Sequence, residues 1–252
     1  MIGIRIIGGL GNQLFQYSTI KSLSEKINKE FKLDIRGFKK YPRNVFLLDR
    51  FNISGQLANE QDYRNYNWIL RRPCKLLQKF GIYKKWYQEK SYYYDKNLNK
   101  IKDNIFLYGY YQSFKYFSDI KDTLRKEFTL KKNLNQNNSH IRELIEKNNS
   151  VMIHIRRDDY LTNSKINNDF GVCSLDYYKK AISFISEKVN NPYFIIFSDD
   201  FEWTKNNLHL NFSHIYVEGN YFEPEIDFFL MSKCKHHIIA NSTLSWWGAW
   251  LS

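Results

Sequence analysis

Residues Met152 to Tyr160 read MIHIRRDDY: an apolar run stops, and two arginines and two aspartates follow at once. A guanidinium is a planar fork of N–H donors whose spacing matches two phosphate oxygens, so Arg156 or Arg157 at the end of a buried strand suits a diphosphate. The competing reading is an Arg–Asp ion pair that closes the loop. His154 alternates with Ile153 and Ile155, a pattern that fits a core histidine as well as a catalytic one.

Two further stretches offer related chemistry. In ANSTLSWWGAWL, Ala240 to Leu251, a strand gives way to Asn241, Ser242, Thr243 and Ser245, and a helix then begins. Its first N–H groups have no partner within the helix and attract anions without a metal. Trp246 and Trp247 fit either a site or a core. FSDD, Phe197 to Asp200, ends an intervening strand; Asp199 and Asp200 could accept hydrogen bonds from a base or a sugar, or cap the next helix. A third loop, GGLGNQLFQY from Gly8 to Tyr17, combines Gly8, Gly9 and Gly11, which allow close backbone approach, with the amides of Asn12 and Gln13. It departs from GxGxxG because Leu14 stands where a third glycine belongs. Asp34 nonetheless keeps a dinucleotide reading in play.

The elements that must hold these loops alternate. From Ser150 onward SVMIHI, YFIIF, HIYV and HHIIA read as strands, separated by helices. One helix follows Ser174 as N-cap, with Leu175, Tyr178, Ile182 and Ile185 on one face; another opens at the aspartates of FSDD; a third is EPEIDFFLMSKCK. That alternation predicts a parallel, doubly wound sheet whose ligands bind at the carboxyl ends of the strands. The first half repeats the theme with IGIRII, a helix from Asn12, FKLDI, NIFLYGYY and a helix around SFKYFSDIKDTLRKEF. Between about 36 and 103 the pattern blurs into aromatic and basic pieces. There the tyrosines from Tyr83 to Tyr94 suit surface packing or stacking on sugar rings. LKKNLNQNNSH, from Leu130, reads as a linker. The expected architecture is therefore α/β, with two Rossmann-like domains, residues 1–135 and 136–252, facing each other across a cleft.

Bulk properties remove other classes. The chain has 252 residues, 43% of them hydrophobic, and a formal net charge of +12, which asks for an anionic partner but not for a particular one. No zinc-finger spacing, RNA-binding aromatic strand or basic zipper is visible, so no nucleic-acid partner is expected. Apolar runs are too short for a membrane span, and MIGIRII is no signal peptide, which predicts a cytoplasmic protein. Cys74, Cys173 and Cys234 are odd in number and widely spaced, predicting reduced packing thiols and no zinc site.

Taken together, GGLGNQLFQY, HIRRDDY, FSDD and NSTLSWWGAWL resemble the motifs of the bacterial α-1,2-fucosyltransferases, glycosyltransferase family 11, from residue 3 to the last residue. The resemblance implies a GT-B fold, GDP-β-L-fucose as donor, inversion at the fucose anomeric carbon, and no metal or other cofactor. The acceptor it implies is a galactose-terminated glycan, such as a surface polysaccharide or O-antigen unit. Such acceptors are often lipid-linked in bacteria, which would bring the protein to the inner membrane as a peripheral partner.

Carried onto this chain, Arg156 and Arg157 would hold the GDP phosphates together with Asn241, Ser242, Thr243 and Ser245. Asp199 or Asp200 would seat the nucleoside, and the loop with Gly9, Gly11, Asn12 and Gln13 would border donor and acceptor. Asp159 is the candidate general base, with His154 second. Two departures stand out. Asp158 occupies a position where the family usually has glycine, and the chain stops at Ser252, where relatives usually continue. The alternatives are a nicotinamide-dependent oxidoreductase using the glycine loop and a basic module binding nucleic acid or an anionic membrane.

Overall fold

The computed structural model describes residues 1–40, 45–62, 85–102, 105–157 and 171–252. The chain divides into two compact units, Met1–Thr129 and Leu130–Ser252.

In the first unit β1 (Ile2–Arg5), β2 (Phe31–Asp34), β3 (Gln56–Leu57), β4 (Lys85–Gln88) and β5 (Ile105–Tyr108) form one parallel sheet in the order β3-β2-β1-β5-β4. α1 (Leu10–Ile27) connects β1 to β2 and buries Leu14, Tyr17 and Ile20. It begins at Leu10, two residues before the expected start, because Gly9 can serve as N-cap once Gly8 takes a positive φ of 80°. The single helix expected around 113–128 is instead two 3-10 turns, Phe114–Tyr116 and Ser118–Ile120, followed by α2 (Lys121–Glu127). Tyr116, Phe117, Ile120 and Leu124 are all buried, so side-chain packing dictates where the chain tightens. β3 and β4 lie in the region whose pattern blurred; at two and four residues they are too short to show a period.

The second unit follows the expected alternation closely. Its sheet is β8-β7-β6-β9, all parallel, from β6 (Asn149–Ile155), β7 (Pro192–Ser198), β8 (His214–Tyr216) and β9 (His236–Ile238). Strand periodicity sorts the core into two layers. Met152, Ile195 and Phe197 pack with Ile141 and Ile145 of α3 (Gln136–Lys147) and with Ile226, Leu230 and Met231 of α6 (Pro224–Lys233). Val151, Ile153, Ile155, Phe194 and Ile196 pack on the opposite face with Tyr178 and Ile182 of α4 (Leu175–Lys188). Two caps fall where the sequence placed them: Ser174 accepts from Tyr177 N–H, and Asp200 opens α5 (Phe201–Asn207) by accepting from Trp203 N–H. The last helix, α7 (Thr243–Leu251), buries Trp247 completely and leaves Trp246 partly accessible.

The linker reading of 130–140 is corrected. Leu130 and Leu134 pack against the second core, Asn135 caps α3, and buried Asn138 exchanges hydrogen bonds with Asn220. Asn135 and Asn138 use their side-chain amides inside the unit, and the division falls before the stretch, after Thr129.

Candidate functional site

The carboxyl edge of the second sheet gathers most of the motif residues. Register places Ile155 of β6 beside Ser198 of β7, and Ile153 beside Ile238 of β9. Arg156–Arg157, Asp199–Asp200 and Asn241–Ser242 therefore leave three neighbouring strands at the same end. The chain goes from β6 to β7 on one side, whereas β9 joins β6 on the other, so the edge holds a topological switch point where ligands of open α/β sheets bind. Asp158 and Asp159 lie outside the described residues.

The arginines are held by the aspartates of the next strand. Arg156 Nε lies 3.2 Å from Asp199 Oδ2, and Arg157 Nε donates to Asp200 Oδ2 at 3.3 Å. Arg157 N–H also donates to Asp199 Oδ1 at 2.9 Å, and the Arg157 guanidinium lies 3.5 Å from the centre of the Trp203 ring. Arg157 is thus clamped between a carboxylate and an indole face. The Arg156 side chain keeps 36% of its surface accessible, enough to meet an anion. The oxygens of Asp199 and Asp200 orient the two guanidiniums, and Asp200 also caps α5, the alternative that the sequence left open for it.

The loop into α7 divides its labour in the same way. Ser242 is the N-cap and accepts from Leu244 N–H; Asn241 is exposed and Thr243 half-buried at the helix mouth. Ser245 is corrected as a ligand candidate: it is fully buried and its hydroxyl donates back to the carbonyls of Ala240 and Ser242. It stiffens the loop whose N–H groups face the edge.

His154 is corrected as a candidate base. It is 5% exposed, and burial followed by the charge of Arg156 lowers its pKa to about 3, leaving a weak proton acceptor. Its Nδ1 is buried and has no hydrogen-bond partner among the described residues.

One group at this end escaped sequence reasoning. Asp227, in the first turn of α6, accepts from Asn220 Nδ2 at 2.8 Å, and burial pushes its pKa up to about 7 despite that bond. Nearby Glu225 is also buried, and its Oε2 has no hydrogen-bond partner among the described residues. An aspartate in the first turn of a helix looks like a solvated charge at the helix N-terminus until the fold buries it.

The glycine loop sits in the first unit, at the carboxyl end of β1. Gly9 has open space where a Cβ would stand, and Asn12 accepts from Gln112 Nε2 at 2.7 Å. Gln13 is corrected as a ligand candidate: fully buried, it donates to the carbonyls of Gly8 and Val45 and accepts from Leu47 N–H. The dinucleotide reading loses its acidic residue as well. Asp34 is wholly buried and bound by both Arg5 and Arg36, so its carboxylate has no freedom to take ribose hydroxyls. Burial alone would raise its pKa, but hydrogen bonds from Arg36 and Arg5 outweigh this and hold it below the usual range.

Solved fucosyltransferases share this fold over nearly the whole chain. NodZ alpha-1,6-fucosyltransferase soaked with GDP-fucose matches at a TM-score of 0.52 and 14% identity, covering 99% of this chain and 92% of that one. Arabidopsis thaliana FUT1, solved as an R284K mutant in complex with GDP, matches at 0.55 and 10% identity, covering 99% and 68%. Such low identity speaks for the fold, and the fold class is GT-B, built of two Rossmann-like units.

Sequence is more specific. The family model for glycosyl transferase family 11 matches residues 1–252, and the chain belongs to that family: it is a glycosyltransferase. The alpha-1,2-colitosyltransferase of Escherichia coli is 37% identical over 98% of this chain and 86% of its own length. The O-antigen biosynthesis glycosyltransferase WbnK of the same species is 35% identical over 97% and 88%. Among the described residues no helix is long and apolar enough to cross a membrane.

Proposed function

We propose that this chain transfers L-fucose from GDP-β-L-fucose to a glycan hydroxyl, O2 of a terminal galactose, with inversion and without a metal. In this reading residues 130–252 hold the donor and residues 1–129 serve the acceptor. Family membership supports glycosyl transfer. A galactoside alpha-(1,2)-fucosyltransferase 2 of Rattus norvegicus, 22% identical over the whole chain, supports the acceptor hydroxyl.

The observation that carries the proposal is Arg156, anchored through Nε to Asp199 yet open to solvent, on the same sheet end as the α7 N-terminus. As the acceptor oxygen bonds to the anomeric carbon, the bond to the diphosphate breaks and its electron pair stays on the departing oxygen. Positive groups already fixed in place bind that growing charge more tightly than the ground state, which lowers the barrier. Asp159 is the proposed base that takes the acceptor proton.

The test is turnover of GDP-β-L-fucose with a β-galactoside, the product linkage read by NMR. An α-1,2 product formed equally with and without EDTA is expected. Product only with an added divalent ion, or with UDP- rather than GDP-sugars, would overturn the reading. Asp159→Asn is expected to abolish transfer while GDP still binds. A lipid-linked acceptor would bring the protein to a membrane surface, and co-sedimentation with vesicles carrying and lacking such an acceptor checks this.

The 37% identical colitosyltransferase favours a second donor, GDP-colitose, whose sugar lacks one hydroxyl of fucose. Competition between the two donors separates the readings.

A further inference from the structure

A hollow of about 340 Å3 opens at the carboxyl edge of the first sheet and is lined by Ile7, Gln88, Glu89, Tyr92, Tyr108 and Tyr110, among others. The volume falls within the range of roughly 300–1,000 Å3 usual for small-ligand pockets. Its position is informative. β2 and β5 flank β1 on opposite sides, so the ends of β1, β5 and β4 surround the switch point of this sheet, where ligands gather.

The wall is built rather than incidental. Both oxygens of Glu89 accept backbone N–H groups from the far side, Tyr110 at 2.7 Å and Tyr111 at 3.0 Å. A Cβ on Gly109 would meet Glu89 Cβ at 2.4 Å, so only glycine allows this approach. From beneath, Gln16 Nε2 holds the Gly109 carbonyl at 3.0 Å. Tyr111 adopts a φ of 53°, costly for a bulky residue, and is locked there by its hydroxyl donating to the Tyr87 carbonyl at 2.8 Å. These constraints fix a segment that presents Tyr108 and Tyr110 to the hollow, while Tyr92 stands across it with 70% of its surface exposed.

The lining selects a ligand class. Phenol rings offer flat apolar faces with a polar rim, which suits a sugar ring, with C–H groups on one face and hydroxyls around its edge. Gln88 adds an amide that can both donate and accept. Glu89 and Lys90 oppose each other in sign, and among the described residues no arginine lines the hollow, so these residues are not dressed for a diphosphate.

We propose that this hollow is a carbohydrate subsite that takes one uncharged hexopyranose ring of the acceptor, with Tyr92 and Tyr110 against its faces and Gln88 on its hydroxyls. This rests on the glycosyl-transfer reading above and names the part of the first unit that would serve it.

Saturation-transfer NMR with lactose, in the absence of any donor, tests it on the full chain. The wild type is expected to saturate the galactose ring, and Tyr92→Ala and Gln88→Ala to lose that signal. Both side chains are exposed, and circular dichroism confirms that the variants fold. In turnover the same variants should raise the acceptor KM about ten-fold, the worth of one lost ring contact, with the donor KM and acceptor-free donor hydrolysis unchanged. Wild-type acceptor binding and KM in both variants overturn the subsite, as does a wild type that saturates none of lactose, N-acetylglucosamine and methyl mannoside. Tyrosine-dependent sugar binding in a chain that turns over no fucosyl donor supports the subsite and sinks only the donor reading.

Discussion

β1 and β6 hold equivalent places in their sheets: each is the first strand of its unit, has later strands on both sides, and carries an arginine at its carboxyl end. At the first edge Arg5 shares the wholly buried Asp34 with Arg36 and lies 5.8 Å from the centre of the Tyr108 ring. Its charge is absorbed by the fold and serves to back an aromatic. At the second edge the partner carboxylates, Asp199 and Asp200, are themselves partly accessible, and Arg156 stays open to solvent. One supersecondary plan therefore yields a tyrosine-lined hollow in one unit and a rim with a solvent-accessible arginine in the other. The decisive variable is how deeply the counter-carboxylate is buried, because screening by water leaves a surface pair free to respond to a third charge.

The largest expected effect tests that contrast directly. Arg156→Ala should lower kcat by about 100-fold or more, the usual loss when a fixed donor to developing charge is removed. Arg5→Ala should instead lower the melting temperature and leave the donor KM unchanged. Equal kinetic losses from both would erase the distinction between the edges.

Next comes pH. The folded pKa of Asp227 is raised above its ordinary value, so the native state holds a proton that the unfolded state has released between about pH 4 and 7. Stability should therefore fall as pH rises through that window, by a few kcal/mol. Asp227→Asn keeps an acceptor for Asn220 and should flatten the slope in denaturant titrations. The charge of Glu225 beside it adds to the rise in the Asp227 pKa.

Gln13→Ala follows. Losing a buried amide with three hydrogen bonds should cost about 2 kcal/mol, or roughly 4–8 °C in melting temperature for a chain of this size. The donor KM should not change, whereas a rise would restore Gln13 as a ligand. Smallest is Trp203→Ala. Loss of its face against Arg157 should raise the donor KM about five-fold, near 1 kcal/mol, and Trp203→Phe should restore most of it.

The legibility of the chain was uneven for physical reasons. In the second unit β6 and β7 are apolar on both faces, α3 and α4 are amphipathic, and α4 and α5 are capped by Ser174 and Asp200; the signals are local and the elements follow. Around 113–128 and at β3 and β4 the elements are short, and tertiary packing rather than period sets their limits. The site shows the same division. The arginine pair, the glycine loop and the Asn-Ser-Thr loop stand out as residue types at strand ends, whereas Asp227 is indistinguishable in sequence from a surface carboxylate.

What the sequence by itself determined is the alternation of strand and helix, the family, and which glycine-rich and polar loops lie at the strand ends. Which polar side chains within those loops face outward was decided by the tertiary structure. Gln13 turns inward because Val45 and Leu47, more than 30 residues away, claim its amide, and Arg157 is clamped by Asp200, 43 residues away. A propensity is written in neighbouring residues, but a buried hydrogen-bonding group must find its partner wherever the fold brings one, and that match exists only after the chain has closed on itself.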